Sequence, residues 1–232
     1  NRDFDGWNEV GYLVETPHGY PNLSVNENLR VYYQLRQLKN PALVDEIILR
    51  LKLEKYQHKK EKFLSLGNKQ RLGLAKALMH QPKLLILDEP INGLDPEGIV
   101  EVRSLLLELA AKGTTIFLSS HILGEISKLA HRIGIIHRGR LVKELTAHEL
   151  SAQLIKKIIV HTTDNAKAMT HLSTAGYQIQ INEEGQIEIH DERAIASPQH
   201  ISTLLVEAGV APMKLYLFTE DLEMYFLRTI KN

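Results

Sequence analysis

The chain has 232 residues, 44% of them hydrophobic, which is enough to bury one substantial core and a smaller second one. Lysine plus arginine and aspartate plus glutamate number 28 each, so no global charge field selects a nucleic acid or an anionic membrane, and no nucleic-acid partner is expected. Cysteine is absent, which excludes a disulfide scaffold, thiol catalysis and cysteine metal sites, and no apolar run reaches the ~18 residues that would span a bilayer.

In chain order, "VGYLVET" reads as a strand and "PHGYPNLS" as a loop. From Ser24 to Gln81 apolar residues recur at three- and four-residue intervals, and residues 24–82 are predicted as a helical subdomain. Its last helix begins at "LSLG", where Ser65 and Gly67 suit an N-terminus whose free N–H groups can face an anion, and it runs up to Pro82. "KLLIL" and "TTIFLS" are apolar runs of strand length, separated by an amphipathic helix with Ile99, Val102, Leu105, Leu106 and Leu109 on one face. Strand, helix, strand with such strands predicts a parallel sheet covered on both sides. "ILGEISKLA" and "RIGIIHRGRLVKEL" add a helix and two strands. After about Leu150 the pattern is strand, helix, strand, strand, helix, strand, the order of a ferredoxin-like fold, closed by the amphipathic helix "EDLEMYFLRTI".

The stretch "KLLILDEPINGLDP" carries two adjacent acids, Asp88 and Glu89, at the carboxyl end of a predicted strand, where ligands of parallel sheets collect. Neighbours on a strand point to opposite faces, so the two acids are expected to divide their work. In phosphoryl transfer one acid holds Mg²⁺ and the other faces the attacking water. Read alone, the run is also compatible with a strand that ends in solvated acids.

Its company decides between these. "LSLGNKQR" upstream, "LLILDEP", "NGLDP" and "SSH" downstream together strongly resemble the nucleotide-binding domain of the ABC (ATP-binding cassette) family: signature, Walker B with the catalytic glutamate, D-loop and switch histidine, over about residues 9–150. The resemblance implies that Asp88 holds Mg²⁺, Glu89 polarises the hydrolytic water, and His121 contacts the γ-phosphate. It also implies that Ser65 and Gly67 contact ATP held by the opposite subunit, with Gln70 among the nucleotide contacts, and that Asp95 links the two sites. Leu66 and Asn68 stand where glycine and glutamine are usual. Glu15 stands where a glutamine usually senses metal and permease, so it too is expected beside the nucleotide and Mg²⁺. That glutamate, the signature type and the small C-terminal extension look like exporters of bacitracin and lantibiotic self-immunity.

The implied fold is α/β: a parallel-sheet P-loop NTPase core truncated at its N-terminus, with a helical subdomain. Residues 1–150 would form the ATPase domain and 151–232 a C-terminal accessory α+β domain. The sequence contains no GxxxxGK[ST] phosphate loop and begins without methionine. It therefore reads as a fragment of a longer chain or as a degenerate cassette that no longer hydrolyses ATP, and the intact Glu89 and His121 favour the fragment. The cofactors implied are ATP and Mg²⁺; the partners are a transmembrane permease and a second ATPase subunit, at the cytoplasmic face of the membrane. The competing expectation is a non-hydrolytic binding or regulatory module that keeps the fold.

Overall fold

The computed structural model of the protein describes residues 5–15 and 17–231, so Thr16, the end of the predicted first strand, lies outside the described residues. The contacts divide the chain into two compact units, one up to Leu129 and one from Ala130 onward.

In the first unit, β1 (Val10–Leu13), α1 (Val25–Leu35), α2 (Ala42–Arg50), α3 (Leu66–Leu78), β2 (Leu84–Asp88), α4 (Pro96–Ala111), β3 (Thr115–Ser119) and α5 (Leu123–Leu129) follow in order. Helix starts are written locally. Ser24 and Glu27 form a reciprocal capping box on α1, Ser65 caps α3 by accepting from the Asn68 N–H at 3.3 Å, and Asp95 caps α4 ahead of Pro96. The three strands pair in parallel in the order β1-β2-β3, with Leu13 opposite Leu87 and Asp88 opposite Ser119. All three chains therefore leave the sheet at the same edge.

The core of this unit joins sheet and helices through Leu13, Leu29, Ile47, Leu72, Leu74, Leu85, Leu87, Val102 and Leu106. Burial of this apolar surface is the main favourable term, at about 25 cal/mol per Å². The expectation of a sheet covered on both sides is corrected by the strand burial. Inward residues alternate with outward ones, and the in-register row Tyr12, Ile86 and Phe117 is 57%, 41% and 67% exposed. The helices of this unit pack against the face that carries Leu13, Leu85 and Leu87.

In the second unit, β4 (Arg132–His137) and β5 (Arg140–Thr146) pair only with each other, antiparallel, and α6 (Ala147–Gln153) follows with Thr146 and Glu149 as its capping box. Then come β6 (Lys156–Thr162), α7 (Asn165–Thr174), β7 (Ile179–Ile181), β8 (Ile187–Ile189), α8 (Glu192–Ala196), α9 (Pro198–Glu207), β9 (Pro212–Thr219) and α10 (Leu222–Lys231). The four strands form an antiparallel sheet in the order β7-β8-β6-β9, the arrangement expected of a ferredoxin-like chain. Ile158, Val160, Ile187 and Ile189 pack there with Leu172, Ile201 and Leu205 of the helices. β4 and β5 pair with each other, and the two compact units divide at residue 129/130, whereas the sequence reading drew its domain boundary at 150. No helix among the described residues is long and apolar enough to cross a membrane.

Candidate active site

Asp88 is the last residue of β2, and its carboxylate accepts a hydrogen bond from the Ser119 hydroxyl at the matching end of β3. Glu89 is no longer on the strand. Its φ is +48°, a left-handed conformation that non-glycine residues adopt rarely and at a cost. The two acids therefore diverge because the backbone turns over at Glu89, and strand alternation, the reason expected from the sequence, is not the cause.

Every polar group of Glu89 is engaged. Its N–H donates to the Ser119 carbonyl at 3.0 Å, and its own carbonyl accepts from the Asn92 N–H at 3.1 Å and from the Gln70 side-chain amide at 2.8 Å. On the carboxylate, Oε2 accepts from the Ser120 hydroxyl at 3.1 Å, while Oε1 accepts from the His121 N–H at 2.8 Å and lies 2.9 Å from His121 Nδ1. The ring contact is favourable only with a proton on Nδ1, which leaves Nε2 as an acceptor in the neutral ring and a donor in the imidazolium. The Glu89 side chain is 14% exposed and that of His121 is 69% exposed, so the carboxylate is held from behind while the ring stands in solvent. Three of the roughly four acceptor positions of a carboxylate are filled, which leaves capacity for a water.

The remaining predicted site residues lie around this turn. Gly67 abuts the segment after it so closely that an added Cβ would stand 2.9 Å from the Gly93 carbonyl oxygen. Gly93 has φ +74° and lies under Leu66, whose Cδ2 would be 2.4 Å from a Cβ at that position. Leu66 in the signature thus fits here because residue 93 carries no side chain. Ser65 caps α3 and is exposed. The Asp95 carboxylate accepts from the Gly98 N–H at 3.0 Å, so part of its capacity is spent on starting α4. Glu15 lies exposed two residues beyond β1, as Glu89 lies two beyond Leu87 in the parallel register, which places both at one sheet edge. Gln70 differs from its expectation as a nucleotide contact: it is 1% exposed, with its amide turned to Glu89.

For a cation, Asp88 and Ser119 offer oxygen donors, which suits a hard ion such as Mg²⁺. Among the described residues no group of three or more His, Asp or Glu side chains is placed to hold a metal by itself. A Mg²⁺ there would be held by Asp88 with Ser119 beside it, and would supply charge neutralisation for a phosphate.

The chain is similar to known proteins over much of its length. A family model described as "ABC transporter" matches residues 6–92. The chain is 37% identical over 229 residues to the bacitracin transport ATP-binding protein BcrA of Bacillus licheniformis, covering 95% of this chain and 72% of that protein. It is 40% identical over 136 residues to the lantibiotic transport ATP-binding protein SrtF of Streptococcus pyogenes, covering 59% of each. A solved structure described as the ATP binding subunit of an ABC transporter superposes with a TM-score of 0.57 at 30% identity, over 63% of this chain and 62% of that one.

Proposed function

Since the chain belongs to the family of ABC transporter ATP-binding subunits, we propose that it hydrolyses ATP within a dimer to drive a separate membrane permease. Glu89 acts as the base, its carboxylate fixed between the ends of β2 and β3 by Ser120 and His121 with room for the attacking water. That arrangement is the observation that carries the proposal. Asp88 would hold Mg²⁺, which when bound neutralises phosphate charge. His121 presents Nε2 to the γ-phosphate, and Ser65 and Gly67 present the start of α3 to ATP held by the opposite subunit. Asp95, beside that start, bridges the two sites. Residues 151–232 serve as an accessory domain. The likeness to BcrA and SrtF, together with Glu15 at the sheet edge, supports export of a bacitracin- or lantibiotic-type peptide from the cytoplasmic face of the membrane.

The test uses the full-length protein with ATP and Mg²⁺. Glu89→Gln should lower turnover by ~10²-fold or more, the scale of a positioned base, while ATP still drives dimer formation on size exclusion. Unchanged turnover would remove Glu89 from the chemistry and return the chain to a binding module.

A further inference from the structure

We propose that Gln70 is a positioning residue for hydrolysis: from α3 it holds the Glu89 peptide in its left-handed conformation and so ties the signature helix to the catalytic carboxylate. This rests on the reading of Glu89 as the hydrolytic base.

Gln70 lies 19 positions from Glu89 in sequence and is almost wholly buried, and its Nε2 donates to the Glu89 carbonyl at 2.8 Å. Its Oε1 is buried with no hydrogen-bond partner. An amide that served only to fill the core would do better as an apolar side chain of the same size, because a buried polar atom without a partner is costly. Here one half of the amide goes unmet while the other half reaches a single carbonyl. Broken local rules of this kind cluster where function demands them.

The carbonyl concerned belongs to the residue that most needs support. Glu89 has φ +48°, and the other bond to its carbonyl, from the Asn92 N–H, lies within the same turn and cannot anchor that turn to the rest of the unit. The Ser119 bond to the Glu89 N–H fixes one side of the peptide chain, and Gln70 fixes the other. Rotation about Glu89 would carry its carboxylate away from Ser120 and His121, which sit at the end of β3.

α3 also touches this turn at a second point, Gly67 against the Gly93 carbonyl. Its first turn carries Ser65 and Gly67. A shift of α3 when those residues engage a phosphate is therefore felt by the Glu89 peptide directly.

The experiment compares Gln70→Met with the parent in the full-length protein, alone and in a Glu89→Gln background. Gln70→Met keeps the volume and removes both the donor and the unmet acceptor, so the melting temperature should stay close to that of the parent. kcat should fall about tenfold, the rate equivalent of one hydrogen bond, with KM for ATP and ATP-driven dimerisation unchanged. In the Glu89→Gln background the second change should cost nothing further, since both act through one group. Gln70→Asn, which keeps the amide but is one methylene too short to reach the carbonyl, serves if the methionine variant does not fold, and should lower kcat to a similar extent. An unchanged kcat in a folded variant, a loss that adds to that of Glu89→Gln, or a raised KM in place of a lowered kcat would each overturn the proposal. If Glu89→Gln alone leaves turnover intact, the fault lies with the base assignment itself.

Discussion

Glu89 in the first unit and Glu220 in the second are both carboxylates with their oxygens occupied, yet their surroundings differ in kind. Glu220 accepts two bonds from the Arg228 guanidinium, at 2.9 and 2.8 Å, and one from the Ile155 N–H at 2.9 Å. The guanidinium holds its carboxyl below the ordinary value of 4.5. Such a bidentate pair is rigid, and it ties α10 to the start of β6. Glu89 is gripped instead by a hydroxyl, a backbone N–H and an exposed imidazole ring, on a backbone turned against its preference. The geometry of the two sites looks equally complete; the partners differ, a guanidinium for Glu220 against a hydroxyl, a backbone N–H and an exposed ring for Glu89.

The contrast can be broken first at the partners. His121→Ala should reduce ATP turnover by about 10²-fold, the scale of losing one transition-state donor, and leave the melting temperature unchanged because the ring is mostly exposed. Arg228→Ala should do the reverse. It leaves Glu220 buried against one N–H and should destabilise the second unit by roughly 2 kcal/mol, discounted because the arginine is itself partly solvated. Turnover per folded molecule should hold. If Arg228→Ala abolished hydrolysis in folded protein, the division of labour between the two carboxylates would fail.

A milder test concerns the packing beneath the signature. Gly93→Ala should cost about 1–2 kcal/mol, since alanine is strained at φ +74° and its Cβ meets Leu66. Leu66→Gly in the same chain should recover the steric part and leave the backbone part, a split readable by thermal melts of the two single variants and the double one.

The smallest effect sharpens the comparison through pH. Burial and the neighbouring Arg36 lower the pKa of His80 in the first unit below its ordinary value of 6.5. The unfolded chain then binds more protons than the folded one, so this contribution to stability is complete above 6.5 and is lost as pH falls through the folded value. Glu220 has the same sign, but its contribution is complete above 4.5 and is lost only further down. Acid titration followed by hydrogen exchange should therefore loosen the first unit from about pH 6.5 while the second holds to below pH 4.5. His80→Gln should remove the earlier step.

What the sequence determined by itself is what short spacing can encode. Ser65 marks a helix start three residues ahead of the donor it accepts from. The apolar runs before Asp88 and Ser119 read as strands, and four motifs in one order point to the family. The β-α-β-β-α-β order after about residue 150 was likewise legible, because each element carries its own period. Only the tertiary structure decided the rest. That Glu89 turns out of the strand, that the Gln70 amide reaches a carbonyl 19 residues away, that Leu66 needs Gly93, and that β4 and β5 pair with each other all depend on partners beyond the reach of local spacing. Local propensity fixes the period and the ends of an element, acting over three or four residues, whereas the place where an amide proton or a side chain finds its partner is set by how those elements pack.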